Sequence, residues 1–388
     1  YSGPVVYVPD ASRSVPAVQN LLSRDAREAY LESLRADYAR LRAQHAEKKG
    51  PGPLHPLAEA RQRGLKTDWA SYRPPAPKRQ GIERLRDYPL ERLVPYIDWS
   101  PFFQAWELSG SYPKILDDPV VGEQARRLLA EAKQMLALAV REKWIRAHGV
   151  CGIFPAAQVA CDDVEIYADD SRRATLMTLH NLRQQNHKPA GRPNLCLADF
   201  VAPKDSGVRD HVGAFAVCAS GFDARVAAFE AAHDDYGAIM LKVLADRLAE
   251  AFAEHLHERV RREFWGYAGD ERLASEGLLA EAYRGIRPAP GYPACPDHTA
   301  KGPLFALLDA ERNTGMQLTE SFAMLPASAV SGFYFSHPQS SYFAVGKIGN
   351  DQAADYARRK SVALDEVERW LAPNLAYEPA DIIQEISR

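Results

Sequence analysis

Apolar positions recur at three- and four-residue steps from Val15 to about Lys48, through Leu21, Leu22, Tyr30, Leu31, Leu34 and Tyr38, and predict a helix that Gly50-Pro51-Gly52-Pro53 stops. A short β-rich run, Val5-Val6-Tyr7-Val8, precedes it and ends at Pro9. Residues 50–80 lose the period, gain proline and charge, and read as an extended linker that wraps the unit after it. The helical period returns after Asp118-Pro119, a cap followed by a first-turn proline, and runs to about Trp144 on Leu128, Leu129, Met135, Leu136 and Val140. Alternating, β-branched and aromatic stretches then predict strands at 149–156, 163–168, 173–181, 195–201 and 211–219. Their short, turn-rich connections favour antiparallel pairing over βαβ units.

A second long helix is predicted over 223–265. Tyr236, Met240, Leu244, Leu248, Phe252, Leu256, Val260 and Phe264 keep a four-residue step that stays close to one face. Asp246, Glu250, Glu254 and Glu258 form a parallel stripe that reads as a solvated flank beside basic neighbours. A strand from Tyr342 to Ile348 and helices near 351–361 and 364–371 close the chain, and there is no internal repeat.

Composition narrows the class. With 388 residues, 46% hydrophobic and 26% charged, the chain can bury a large core as an ordinary globular protein. A net charge of −3 provides no global field for nucleic acid or an anionic membrane, and no apolar run is long enough to span a bilayer. The expectation is a cytoplasmic monomer that binds neither. Five widely spaced cysteines without a CxxC pair argue against a disulfide framework or a zinc ribbon.

The segment Arg287-Pro288-Ala289-Pro290-Gly291-Tyr292-Pro293-Ala294-Cys295-Pro296 is the most distinctive in the chain. Four prolines exclude a helix or a central strand and make a stiff loop. Read on composition, it is a surface connection; its arginine, glycine and tyrosine also suit a preordered ligand loop. His233-Asp234-Asp235 suggests a metal-dependent hydrolase as an alternative function, but adjacent helical residues point apart and read more simply as a helix start. Neither a GxGxxG loop nor a GxSxG serine is present, and no residue is assigned as catalytic.

Several segments match a known family in order. Arg287 to Lys301 (RPAPGYPACPDHTAK), Tyr96-Ile97-Asp98-Trp99, Cys196 to Lys204 (CLADFVAPK), His233 to Tyr236 (HDDY), Leu244 to Phe252 (LADRLAEAF), Thr319 to Met324 (TESFAM) and Asp355 to Lys360 (DYARRK) together resemble the C-terminal activation domain of cobalamin-dependent methionine synthase. Val8 to Arg13 resembles the end of the preceding cobalamin-binding domain, so the chain is similar to a fragment of a larger enzyme. The resemblance implies an α+β fold: a single large C-shaped domain with a twisted antiparallel sheet and flanking helices over 81–388. A helical and proline-rich linker over 23–80 and a cobalamin-domain remnant over 1–22 would come before it.

The resemblance also implies a function. S-adenosylmethionine is bound and its methyl group is presented to cob(I)alamin during reductive reactivation of a methyltransferase that makes methionine from homocysteine and 5-methyltetrahydrofolate. The fragment alone would not complete that reaction. Cobalamin belongs to the adjacent domain of the same polypeptide, the electron donor is a flavodoxin or diflavin reductase, and zinc belongs to a domain absent from this chain. Carried over by motif, Asp98, Arg287, Tyr342 and Phe343 contact S-adenosylmethionine, with Arg287 at its carboxylate. Ala289, Gly291 and Glu250 belong to the same set. Tyr292 and Ala11 face the cobalamin, and Asp246 meets the companion domain. Phe343 stands where the family has a second hydroxylated ring. Read alone, Asp98 is a helix cap and Tyr342 a core strand residue.

Overall fold

The computed structural model describes residues 6, 11–23, 26–47, 52–274, 277–278 and 280–379, without the side chains of 11–16 and 42–47. The β-rich reading of Val5 to Val8 and the role of the Ala11 side chain lie outside the described residues. Contacts divide the chain into two units, Tyr1–Pro53 and Leu54–Arg388.

In the first unit the single predicted helix is two, α1 (Ala11–Leu22) and α2 (Arg27–Glu47). The Ser23 hydroxyl accepts from the Ala26 N–H at the break. Tyr30, Leu31, Leu34 and Tyr38 share the half-buried face of α2, as their spacing requires.

The second unit begins with α3 (Leu57–Gln62), which buries Leu57 and Ala60. Strands β1 (Gly81–Tyr88), β2 (Arg146–Val159), β3 (Asp163–Tyr167), β4 (Thr175–His180), β5 (Asp210–Ser220) and β8 (Ala329–Tyr334) form one open antiparallel sheet; a separate short pair, β6 (Gln317–Leu318) and β7 (Met324–Leu325), lies outside it. The order is β4-β3-β2-β5-β8. The long β2 gives one edge to β1 near Val150 and to β3 near Ala157, and its other edge to β5 from Arg146↔Ser220 to Ala156↔Asp210.

Helices cover both faces of this sheet, which explains why β5 (DHVGAFAVCAS) reads as almost continuously apolar. Phe215, Val217 and Ala219 join Cys151, Ile153 and Tyr334 on the face packed against α4 (Ser100–Ala105), α5 (Gly122–Arg141) and α7 (Asp235–Arg259). Val212, Ala214, Ala216 and Cys218 face the opposite layer, with Phe200 and Phe333 and with Leu304 and Leu308 of α8 (Lys301–Leu308), which the short α9 (Ala310–Thr314) follows. On α7, Met240, Leu244, Leu248, Phe252 and Leu256 are buried along the predicted stripe, each contributing about 1.5–3 kcal/mol. A Cβ at Gly149 would stand 2.8 Å from the Phe252 ring, so this glycine sets how closely α7 approaches the sheet. The C-terminal helices α10 (Asn350–Lys360) and α11 (Leu364–Trp370) bury a third cluster with Leu182, Val345 and Ile348.

Three expectations for the second unit change. The 223–265 helix breaks into α6 (Asp223–Ala231) and α7; His233 takes a positive φ of 57°, and the Asp234 carboxylate caps α7 by accepting from the Gly237 N–H. Its last turn, Val260–Phe264, is a π-helix. Residues 195–201 form a short 3₁₀ turn (Leu197–Phe200) instead of a strand, because the buried Asp199 carboxylate accepts from the Cys196 N–H and binds Arg183. Tyr342 to Ile348 is extended but makes only an isolated bridge, Ile348 to Leu375.

An ionic core ties these parts together. Arg183, 2% exposed, donates to Asp162 (2.8 Å), to both oxygens of Asp199 (2.7 and 2.8 Å) and to the Asn194 carbonyl (2.8 Å). We expect Arg183→Met to cost about 3–5 kcal/mol in urea unfolding, because two buried carboxylates lose their shared cation.

Histidines set the acid limit. Burial first, with neighbouring arginines in support, pushes His211, His255 and His337 down to about 4, and His257 well below its ordinary value. Their folded pKa values lie below the unfolded ones, so the unfolded chain binds more protons below pH 6.5, and stability falls as pH drops from about 6.5 towards 4. Asp210, pushed up to about 7 by burial, opposes this, as do Glu254 and Asp246, which burial also raises; the lowered histidines, His148 and His298 among them, outnumber these carboxylates. Thermal midpoints should decline over that window, and more gently for His337→Gln.

Candidate functional site

The proline-rich loop is stiff for a reason beyond its prolines. Ile286 and Phe335 exchange backbone hydrogen bonds at 3.1 Å, the Phe333 N–H donates to the Pro288 carbonyl (2.9 Å), and the Val345 N–H donates to the Pro293 carbonyl (2.8 Å). The loop is thus stitched to the end of β8 and to the 342–348 segment. Gly291 holds φ at +95°, and a Cβ there would lie 2.3 Å from the His298 ring, so only glycine fits the turn. Asp297, just past the loop, receives hydrogen bonds from Tyr356 (2.7 Å) and Lys360 (2.6 Å) of α10.

A cleft of about 480 Å³ opens between this loop, α7 and the sheet. Arg287, Ala289, Tyr292, Tyr342, Phe343 and Glu250 line it, so the fold brings together most of the residues singled out from sequence. Gly291 is the exposed turn between Ala289 and Tyr292. Phe215, Val330 and Glu281 line the cleft as well. The sequence reading missed them: Phe215 and Val330 look like any strand residue, and Glu281 sits in a stretch without a period.

At the base of the cleft the Arg287 guanidinium is engaged on several sides. Nη1 donates to the Tyr283 hydroxyl (2.7 Å) and meets His257 Nδ1 at 3.3 Å, while Nη2 pairs with Glu254 Oε2 at 2.6 Å. The Arg287 backbone N–H donates to the Tyr342 hydroxyl (2.9 Å). Burial disfavours the charge of Arg287, but the Glu254 carboxylate outweighs it and holds the guanidinium firmly protonated. Burial raises Glu254 and keeps His257 neutral, so His257 Nδ1 can accept from the arginine. The π-turn at the end of α7 turns Arg261 inward, where it pairs with Glu271 (2.6 Å) and lies 4.1 Å from the centre of the Tyr283 ring.

The acidic stripe is therefore not a uniformly solvated flank. Glu254 is buried against Arg287, and Glu258 binds Arg262 (2.6 Å) and the Tyr96 hydroxyl. Glu250 is exposed at the cleft, and Asp246 is half-buried with its pKa raised by burial. The sequence signal for Glu254 was weak: a stripe adjoining a buried face says nothing about which member an arginine from a distant loop will reach.

Asp98 stands apart from the residues lining the cleft. Its carboxylate accepts from the Ser100 N–H (2.9 Å) at the start of α4, the capping geometry its local sequence suggests. Its neighbours Ile97 and Trp99 line a different groove of about 860 Å³, which is mostly apolar. Size favours that groove, but the smaller cleft holds an arginine, two accessible carboxylates and two tyrosines, the groups that orient a charged ligand. Tyr96, two residues before Asp98, is anchored to α7 through Glu258.

His233, Asp234 and Asp235 do not converge; Asp234 is spent as a helix cap. Among the described residues no group of three or more His, Cys, Asp or Glu side chains is placed to hold a metal ion. Nor is any described helix long and apolar enough to cross a membrane. Of the five free cysteines, four are buried and Cys161 is exposed.

Residues 89–361 match the family described as vitamin B12-dependent methionine synthase, activation domain. A solved structure titled as the MetH reactivation domain bound to AdoHcy is 55% identical, with a TM-score of 0.81, and the match covers 84% of this chain and 100% of that one. Mixed helices on an open antiparallel sheet, a proline-rich loop closing a charged cleft and a family match over most of the larger unit agree. The chain belongs to the family of vitamin B12-dependent methionine synthase activation domains.

Proposed function

We propose that the cleft between the 287–296 loop, α7 and the 342–343 segment binds S-adenosylmethionine and presents its methyl group for reactivation of a cobalamin-dependent methionine synthase. The observation that carries this reading is a half-buried arginine and two accessible carboxylates, Glu250 and Glu281, lining one cleft of ligand size. S-adenosylmethionine carries a carboxylate, an ammonium and a sulfonium. An arginine edge answers the first, and acidic walls answer the two cations. AdoHcy bound to the 55% identical domain is the same molecule without the transferable methyl and its charge, which supports the assignment.

On this reading Arg287 grips the carboxylate, and Tyr342 holds the arginine's backbone while offering a ring to the ligand. Phe343 packs edge-on to Phe200 (ring centres 6.4 Å apart) and contributes an apolar wall without a hydroxyl. Asp98, outside the lining of the cleft and engaged with the Ser100 N–H, has no part in this reading. The methyl leaves the sulfur, which keeps the bonding pair and becomes a neutral thioether, so carboxylates nearby favour the donor over its product. This chain supplies orientation and field, not a proton-transfer group.

Cobalamin is held by the companion domain of the parent polypeptide. Tyr292, 58% exposed at the rim, gives the cleft an aromatic edge suited to a flat macrocycle, and Asp246, on α7, is the residue that meets that domain. When bound there, cobalamin supplies the nucleophile that accepts the methyl. The reducing electron comes from a flavodoxin or diflavin reductase.

Calorimetry with S-adenosylmethionine tests the assignment. Arg287→Ala should weaken binding by about 2–5 kcal/mol, since the ligand carboxylate loses its partner and Glu254 is left unpaired; an unchanged affinity removes Arg287 from the site. Glu281→Gln should narrow the preference for S-adenosylmethionine over S-adenosylhomocysteine severalfold while leaving the affinity for the uncharged thioether nearly constant. Equal weakening of both ligands would show that Glu281 does not read the sulfonium.

A further inference from the structure

We infer that Glu254 is the positioning residue for Arg287: its buried carboxylate fixes where the guanidinium stands and so determines whether the cleft can read a ligand's carboxylate. The inference rests on the reading that Arg287 holds the carboxylate of S-adenosylmethionine, and it names the residue through which that contact is set.

Glu254 occupies an unfavourable place for a carboxylate. It lies on α7 between Ala253 and Leu256, both fully buried, and only 11% of its side chain is exposed. One oxygen pairs with Arg287 at 2.6 Å, and the other finds no hydrogen-bond partner among the described residues. Replacing such a buried pair as a whole by apolar side chains is often neutral or stabilising, so stability alone does not call for the pair. A charge kept there without full satisfaction points to a task in the site it faces.

That task follows from what else surrounds the arginine. Tyr283 and His257 take Nη1, Glu254 takes Nη2, and Nε makes no hydrogen bond to the described residues. The guanidinium is thus held from one side while Nε–H stays free for a ligand oxygen. Two further carboxylates, Glu250 and Glu281, line the same cleft. An arginine on a flexible four-torsion stem would be drawn to either of them, and a guanidinium bound at the rim would occupy the ligand's space. Glu254 sits deeper than both and has the shortest path to Nη2, so it keeps the cation at the base. The Tyr283 clamp is itself held by Arg261, buried at the π-turn.

The test compares S-adenosylmethionine with decarboxylated S-adenosylmethionine by calorimetry on the full chain. The variants are the wild type, Arg287→Ala, Glu254→Gln, Glu254→Met and the double variant Arg287→Ala/Glu254→Gln, each checked for a cooperative thermal transition. The wild type should prefer the carboxylated ligand by about 30-fold or more. Glu254→Gln should lose most of that preference while its affinity for the decarboxylated ligand stays within about threefold, and the double variant should be no weaker than Arg287→Ala, as expected for residues acting as one unit. Glu254→Met, apolar and similar in volume, supplies the same readout if the glutamine variant does not fold. A folded Glu254 variant that keeps the wild-type preference overturns the inference and leaves the binding reading intact. One that loses affinity for both ligands equally also overturns it, because the role is then structural. A wild type that binds neither ligand, or does not distinguish them, overturns the binding reading and this inference with it.

Discussion

A guanidinium drawn out of water must have its charge answered, and the way Arg287 is answered organises the cleft. Its counter-ion comes from α7, the helix that also packs the sheet through Leu244, Leu248, Phe252 and Leu256. The loop that carries Arg287 is thereby tied to a long, largely buried helix by a charge as well as by packing. Because breaking a buried pair is costlier than the pair is stabilising, the link specifies a geometry more than it adds stability. Tyr283, Arg261 and Glu271 extend it outward, so the arginine sits at the end of a chain of aromatic and ionic contacts that starts at the π-turn.

Much of the sequence that looks like the family has no place in the cleft itself. CLADF contributes Asp199, whose partner is Arg183 in the ionic core; DYARRK contributes Tyr356 and Lys360, which hold Asp297 just past the proline loop, and Arg359, which pairs with Asp163 and Asp355. These residues form the frame of the cleft. A preordered loop loses little entropy on meeting a ligand, and here the order comes from backbone hydrogen bonds and these anchors as much as from proline.

Helix α7 also reaches the segment bearing Asp98. Glu258, one turn past Glu254, binds the Tyr96 hydroxyl, so the segment with the acidic motif and the loop with the basic one are both referenced to consecutive turns of one helix. Two features some 190 residues apart in the chain acquire a common support without touching each other.

What the sequence determined by itself was mostly local. The helical periods of α5 and α7, the β-branched and aromatic runs of β2 to β5 and the stiffness of the proline loop follow from side-chain spacing and from what proline forbids, and they hold because neighbouring residues impose them. The motif positions also foretold that Arg287, Ala289, Tyr292, Tyr342, Phe343 and Glu250 would meet. What tertiary structure decided depended on partners far away in the chain. Residues 195–201 have the composition of a strand, yet Asp199 must neutralise Arg183, and a 3₁₀ turn is how it does so. Tyr342 to Ile348 is extended as expected but joins no ladder, because its N–H groups serve the loop and the C-terminal segment. Glu254 and Glu258 look alike in a surface stripe; only packing reveals that one meets Arg287 and the other Tyr96. A carboxylate's spacing on a helix says which face it occupies, and the fold alone says what stands opposite.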